Sequence, residues 1–396
     1  MMDIAWGSDE ELTDKQFYNR ISDIEFISGL LDSTRYGSSP TILLTGVRGV
    51  GKTVLMKKLK KDLGKDYLIC YVNLTSSNTY QMGKLQRMDI IKIIYNELIN
   101  SAEEKGLNTL NQKLKKIIRT QNIKIDKLLN FEGIPIPITS LEEDYPKLSE
   151  FVMNLPQKLY EEYSEEIKGV FIFFDEFQNI KDLDDEMDAF LWYLRSKVQS
   201  QKNVAYLFSG SMSLKDKLIE DIAGKDGAFG GRILTIEIKP FNYVTTKNYL
   251  ENNASDLQFT KDGIKRFYNC TKGVPFYINI FAKLLPVNEK MNEEKIIKYF
   301  KKSLPILGTH LINQWGKLTY QEQRIITSLI DEPLKRVDIA KSLNVTSGSI
   351  SHSLNSLQNK ILIELNNGKY EITDSILKYW LKNYYKERKV YPYRSM

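Results

Sequence analysis

The segment TILLTGVRGVGKTVLMKKL, residues 41–59, constrains this chain more than any other. Its loop Gly46-Val47-Arg48-Gly49-Val50-Gly51-Lys52-Thr53 stands between an apolar run, Ile42 to Leu44, and a helical pattern that begins at Lys52. Gly46, Gly49 and Gly51 let the backbone turn its N–H groups inward, and a helix starting at Lys52 aims its positive end at the same point. Such a loop cradles phosphate oxygens. In that arrangement Lys52 reaches the β- and γ-phosphates and Thr53 holds the metal. The run from Gly46 to Val54 therefore predicts binding of ATP or GTP with magnesium.

A second segment completes the pattern. GVFIFFDEFQNI is apolar and aromatic enough for one strand buried on both faces, and it ends abruptly in Asp175 and Glu176. Burying an unpaired carboxylate costs several kcal/mol, so the pair needs a cation or solvent. Asp175 is placed to bind magnesium through water, and Glu176 to orient or deprotonate the water that attacks the γ-phosphate. DYLICYVNLTS reads as another buried strand, NVAYLFSGS (Asn203 to Ser211) as the next, and LTIEIKPF (Leu234 to Phe241) as a last one stopped by Pro240. Strands alternating with helices imply a parallel sheet covered on both faces, an α/β core over residues 1–240. An insert at about 81–155 has a charged helical pattern, interrupted by IKIDKLLNFEGIPIPI, which reads as a small hairpin. The basic run Lys113 to Arg119 beside it reads as a solvated helix face, with nucleic-acid contact as the alternative.

Beyond residue 240 the pattern is helical to about Pro305, with turn signals at Asn252 to Ser255 and Gly273 to Pro275, and predicts a helical lid domain over 241–305. Residues 306–396 change character: helices over Tyr320 to Ile330, Arg336 to Leu343 and Ser347 to Asn359 precede two alternating strands joined at Asn366 to Gly368. That order is the order of a winged helix-turn-helix. Asp374 to Tyr385 would close it, with Trp380 and Leu381 in the core. Net charge is +6, which permits nucleic-acid binding without demanding it. No apolar run approaches the roughly 20 residues that cross a bilayer, and the acidic start MMDIAWGSDEELTD has neither signal nor transit character, so a cytoplasmic protein is expected. Cys70 and Cys270 read as reduced core thiols, and His310 and His352 lack companions at zinc-ligand spacing.

Taken together, the FYNR box (Phe17 to Arg20), GVRGVGKT, FFDEFQ, LFSGS, GGR, the IKPF strand end, GVPFYI and the closing ITDSILKYWL resemble, in order, the archaeal and bacterial ATPases of the STAND class, relatives of AAA+ proteins and of archaeal origin initiators. The resemblance spans nearly the whole chain. It implies a P-loop NTPase fold with a helical lid and a winged helix, ATP over GTP, and Asn19 and Arg20 near the base or ribose. It also implies that Ser209, with Ser211 close by, senses the γ-phosphate or the attacking water. Arg232, after Gly230 and Gly231, corresponds to an arginine proposed to touch nucleotide in the same chain or a neighbour, and Pro275 to the GxP proline that packs near adenine. The chain departs from ordinary AAA+ enzymes in having Phe276 and Tyr277 where they carry an arginine, which suits a slow switch better than a motor.

Two functions follow from that resemblance. In one, the exchange of ATP for ADP repositions the C-terminal winged helix, and the output is a protein partner or self-association. In the other, the chain is a DNA-binding ATPase and the winged helix reads a duplex. The expected recognition helix, SGSISHSLNSLQNK, offers Ser347, Ser349, Ser351, His352 and Asn355, but its lysine, Lys360, lies at the far end. That is poor in the charge that supplies most nonspecific affinity. The basic tail KNYYKERKVYPYR could add phosphate contacts. A P-loop kinase or transporter subunit has no use for the trailing domains.

Overall fold

The computed structural model describes residues 3–4, 12–13, 15–76, 85–107, 110, 112–114, 128–131, 134–137, 145–210, 217–225, 227–360 and 362–393. Helix α1 (Ile21–Asp32) leads into strand β1 (Thr41–Thr45), the P-loop and α2 (Lys52–Leu63). Strand β2 (Leu68–Asn73) is followed by α3 (Arg87–Glu104), a hairpin of β3 (Leu128–Phe131) and β4 (Ile134–Pro137), and α4 (Tyr145–Glu162). Then come β5 (Val170–Asp175), α5 (Met187–Ser200), β6 (Val204–Ser209), α6 (Lys217–Ala223) and β7 (Leu234–Glu237).

Strands β2, β5, β6, β1 and β7 form, in that order, one parallel sheet. Alternation sorts their side chains onto two cores. Ile42, Leu44, Ile69, Phe171, Phe173 and Leu207 pack on Leu55, Met56 and Leu59 of α2 and on Ile27 and Leu31 of α1. Leu43, Cys70, Val72, Ile172, Phe174 and Phe208 face the other way, onto Ile90, Ile91 and Ile94 of α3, Phe151 and Leu155 of α4, and Phe190 and Leu194 of α5. The expected insert is thus partly core, because its two long helices cover one face of the sheet. Because every strand points the same way, the loops after β1, β5 and β6 meet at one edge, where such sheets bind ligands.

The last strand is shorter than its sequence pattern, ending at Glu237 rather than Phe241. Helices α7 (Tyr243–Asn253), α8 (Lys261–Thr271), α9 (Pro275–Lys283) and α10 (Glu293–Leu307) follow, with β8 (Gln258–Phe259) and β9 (Lys290–Met291) forming a two-residue parallel pair. Next are α11 (Thr309–Gly316), α12 (Tyr320–Ser328), α13 (Arg336–Ser342), α14 (Ser351–Asn359), the hairpin β10 (Ile363–Asn366) and β11 (Lys369–Ile372), and α15 (Ser375–Arg388). Helix α14 starts four residues later than its sequence suggests, because residues 347–350 are taken up in turns. In one of these turns the Thr346 hydroxyl accepts from the Ser349 amide. One apolar core, from Phe241 through Phe281, Phe300 and Ile326 to Leu381, runs without a break across position 305. Trp380 lies half-buried against Trp315. Cys70 and Cys270 are buried and unpaired. Most of the run Lys113 to Arg119 falls outside the described residues. No helix among the described residues is long and apolar enough to cross a membrane.

The join between sheet and helices is made at Gly273. Its φ of +73° suits glycine, the Phe241 amide donates to its carbonyl at 2.8 Å, and a Cβ there would lie 1.8 Å from the Phe241 carbonyl oxygen. Gly273→Ala should therefore cost about 2–4 kcal/mol of stability. Gly316→Ala, whose Cβ meets nothing within 4 Å at the end of α11, should change it by less than about 1 kcal/mol. Urea unfolding followed by tryptophan fluorescence compares the two.

Candidate functional site

The loop after β1 has the form its glycines allow: Gly46, Gly49 and Gly51 have φ of 137°, 80° and 104°, and Gly51 is the N-cap of α2. Lys52 is 7% exposed and its Nζ donates to the carbonyls of Gly46 at 2.8 Å and Val47 at 3.2 Å. These carbonyls occupy the ammonium as phosphate oxygens would. Burial pushes the Lys52 ammonium down to about 8, while Glu176 and Asp175 hold it up and Arg48 depresses it further.

Asp175 ends β5 and is 2% exposed. Its Oδ2 accepts from the Thr53 hydroxyl at 2.7 Å and the Tyr71 hydroxyl at 2.5 Å, while its Oδ1 accepts from the Ser209 hydroxyl and from the Glu176 amide at 3.0 Å. Four elements thus meet on one carboxylate. Glu176 has φ 53° and ψ 40°, a left-handed conformation that costs a non-glycine residue about 1 kcal/mol. It turns the chain out of the strand and leaves the carboxylate half-buried, accepting from the Gln178 side-chain Nε2.

Beside the loop lies a pocket of about 190 Å³. Arg48 through Val54 and Glu176 line its polar end, and Phe17, Tyr18, Phe241, Tyr249, Pro275 and Phe276 its aromatic end. Asn279 is buried in the aromatic wall, and its Oδ1 accepts from the Tyr249 hydroxyl at 2.8 Å. Arg20 also lines this pocket, yet its guanidinium is spent on the protein: Nη2 donates to the carbonyls of Val50 at 3.1 Å and Lys239 at 2.8 Å, clamping the P-loop to the chain after β7. Asn19 is exposed and is not among the lining residues. Arg232 is also exposed, in the turn before β7, and outside the lining. Ser211 falls outside the described residues. The structure therefore brings Lys52, Thr53, Asp175, Glu176 and Ser209 together, adds Arg20 and Pro275 at the pocket, and leaves Asn19 and Arg232 outside its lining.

Two contributors escaped the sequence. Tyr71 lies in a segment whose sequence marks it only as a buried strand, but β2 pairs Asn73 with Asp175, and alternation puts Tyr71 on that same face. Phe276 matters through its backbone: its amide donates to the Gly49 carbonyl at 3.1 Å, and a Cβ on Gly49 would lie 2.7 Å from the Phe276 Cβ.

The glycine cradle, the buried ammonium and the hydroxyl–carboxylate pair fit a nucleoside triphosphate and its magnesium ion. A parallel sheet carrying a P-loop and an acidic strand end defines the class of P-loop ATPases. Within it, the model of an ATPase domain predominantly from Archaea matches residues 17–281, and the chain belongs to that family. Among solved structures, it is similar to the Walker-type ATPase of Pyrococcus abyssi, with TM-score 0.66, 16% identity, 96% of this chain covered and 100% of that one. It is also similar to the Aeropyrum pernix ORC2 protein, solved in ADPNP and ADP complexes, with TM-score 0.54, 11% identity and coverage of 97% and 98%. At these identities the likeness is one of fold. No curated protein matches the chain.

Lys52 supplies a pH test. Below about 8 it is protonated in the free protein, and above that it loses its charge unless bound phosphate raises its pKa again. A phosphate's last proton leaves near pH 6, so the triphosphate is almost fully ionised above about pH 7. ATP affinity should stay level from about pH 7 to about pH 8 and then fall about tenfold per unit, measured by fluorescent-nucleotide titration. A level wild-type profile above that pH would contradict the assignment.

Proposed function

We propose that this chain is a magnesium-dependent ATPase of low turnover that acts as a switch, its nucleotide state read out by the C-terminal helices. Lys52 neutralises the β- and γ-phosphates, Thr53 and Asp175 hold the magnesium, and Glu176 orients or deprotonates the attacking water. The metal, when bound, offsets charge on the transferred phosphoryl group. Tyr71 and Ser209 keep Asp175 oriented. The aromatic end takes the base. Adenine suits it because Asn279, whose oxygen is engaged by Tyr249, has an amide nitrogen to donate, while guanine brings extra donors that need acceptors. Arg232 is exposed and does not line its own chain's pocket, which supports a role on a neighbouring copy's nucleotide over one in its own chain.

A short relay carries the switch reading. The Phe276 amide holds the P-loop carbonyl of Gly49, and the next residue, Tyr277, donates its hydroxyl to Asp374 Oδ2 at 2.6 Å. Asp374 is the N-cap of α15, its Oδ1 accepting from the amides of Ile376 at 2.7 Å and Leu377 at 3.3 Å. A shift of the P-loop on phosphate binding is thereby felt at the last helix. Moving a two-state element from 1:99 to 99:1 takes about 5.5 kcal/mol of differential binding. Two to four charge-assisted hydrogen bonds to a γ-phosphate, at about 1.5–3 kcal/mol each, supply it.

The sequence of helices α12, α13 and α14 and the hairpin supports a winged helix-turn-helix, but α14 is weakly equipped to read DNA. Lys360, at its end, is paired at 2.6 Å with Glu322, and the Ser349 hydroxyl is donated to the Thr346 carbonyl at 2.8 Å. Ser351 donates to the Gly348 carbonyl at 2.9 Å and accepts from Arg336. The module suits a protein contact better.

Glu176→Gln should keep ATP binding within about threefold and lower turnover at least about a hundredfold, whereas Lys52→Ala should abolish binding. Tyr277→Phe should bind ATP normally yet erase the difference in protease sensitivity between ATP- and ADP-loaded protein. Unimpaired turnover in Glu176→Gln removes Glu176 from its role, and an intact difference in Tyr277→Phe removes the relay.

A further inference from the structure

We propose that α8, α10 and α15 form a groove that binds the phosphate backbone of nucleic acid, on a surface separate from α14. The groove has a volume of about 250 Å³ and is lined by Arg266 of α8, Lys301 of α10 and Lys382 and Lys386 of α15, with Phe300 and Tyr379 among its walls. No carboxylate among the described residues lines it.

The nearby acids compete weakly. Glu293 accepts from Arg266, and Asp331 lies 3.2 Å from Lys382, but both pairs are open to solvent, where ion pairs contribute little. Glu387 accepts from Asn383 at 2.9 Å. Lys301 and Lys386 are exposed and have no hydrogen-bond or ion-pair partner among the described residues. The charge continues past the groove on α10, where Lys298 lies one turn before Lys301.

The chain as a whole has the same polarity. Residues 241–396 contain 24 Lys and Arg against 14 Asp and Glu, whereas residues 1–240 contain 32 against 36. The mild net charge of +6 therefore hides a basic C-terminal part attached to an acidic ATPase core. Such an asymmetry is an electrostatic footprint for a polyanion. A strand of phosphates fits the groove better than a small anion, because the four cations come from three helices and the charge runs on beyond them. Tyr379, 39% exposed and edge-on to Phe300 at 5.6 Å, offers a ring on which a base can stack. Binding here does not depend on the nucleotide reading, so the test is run without nucleotide.

Fluorescence anisotropy of labelled random-sequence DNA, single-stranded and duplex, is measured on the full chain between about 50 and 200 mM salt. Wild type should bind with an affinity that falls steeply with salt. The variant Lys301→Gln/Lys382→Gln/Lys386→Gln should bind at least about tenfold more weakly at low salt, with a log–log slope shallower by about 2 to 3, at about 0.7 to 0.9 for each phosphate that is no longer neutralised. His352→Ala/Asn355→Ala in α14 should match wild type. Retained ATP binding certifies the triple variant's fold. If that fails, Lys301→Gln and Lys386→Gln singly should each lower the slope by about one. The proposal is overturned if wild type does not bind, if the lysine variants keep the wild-type slope, if the α14 variant loses binding instead, or if polyglutamate displaces DNA charge for charge.

Discussion

The carboxylate of Asp175 is the point on which this architecture turns. It is almost fully buried at the end of the interior strand β5, and a charge so placed is tolerated only if its oxygens are satisfied. Here they are, by Thr53 from the P-loop helix, Tyr71 from β2, Ser209 from β6 and the amide of Glu176. Hydrogen bonds to a charged group contribute about 1.5–3 kcal/mol each, so the set fixes the relative height of three strands and a helix. The strand order β2-β5-β6-β1-β7 is what makes the convergence possible, since it puts β5 between β2 and β6 and leaves β1, with its loop, one place further on.

From this fixed centre the helical part is reached by hydrogen bonds to backbone carbonyls, one set from a guanidinium and the others from amides. Arg20 ties the P-loop to the chain leaving β7, Gly273 receives the Phe241 amide, and the Phe276 amide reaches Gly49. Both glycines are required by close approach: a Cβ on Gly49 would strike Phe276, and one on Gly273 would strike Phe241. A junction so tight leaves little room for independent movement, because packed interiors deform little, and the proposed switch runs through it. It leads to Tyr277 and Asp374. The continuous core from Phe241 to Leu381 packs α7 to α10 together with the C-terminal helices, and the proposed switch uses that continuity.

How legible this was depended on the range of each interaction. The P-loop and the Asp175–Glu176 strand end could be read directly, since each is a local pattern whose chemistry needs no partner to be recognised. The sheet, its parallel sense and the helix–hairpin order of the last ninety residues followed from alternation and turn residues. Tyr71 could not be read, because its role depends on the register of β2 against β5. Arg20 was expected near the base or ribose, and it does line the pocket, but a sequence cannot show that its guanidinium is already held by two carbonyls. Phe276 and Tyr277 registered only as a missing arginine. Their contributions, an amide and a hydroxyl reaching Gly49 and Asp374, are long-range facts. The late start of α14 has a local cause, the turns over 347–350, that a Thr-Ser pair does not distinguish from a helix cap.

The central claim, that the P-loop's nucleotide state is felt at the last helix, is tested most directly by hydrogen exchange at the Ile376 and Leu377 amides, which Asp374 caps. Wild-type protein would be compared with a non-hydrolysable ATP analogue, with ADP and with no nucleotide. The account predicts that exchange at these two amides differs between the triphosphate and ADP states, alongside protection of the P-loop in both. Identical exchange at Ile376 and Leu377 in the two states, with the P-loop protected, would contradict it.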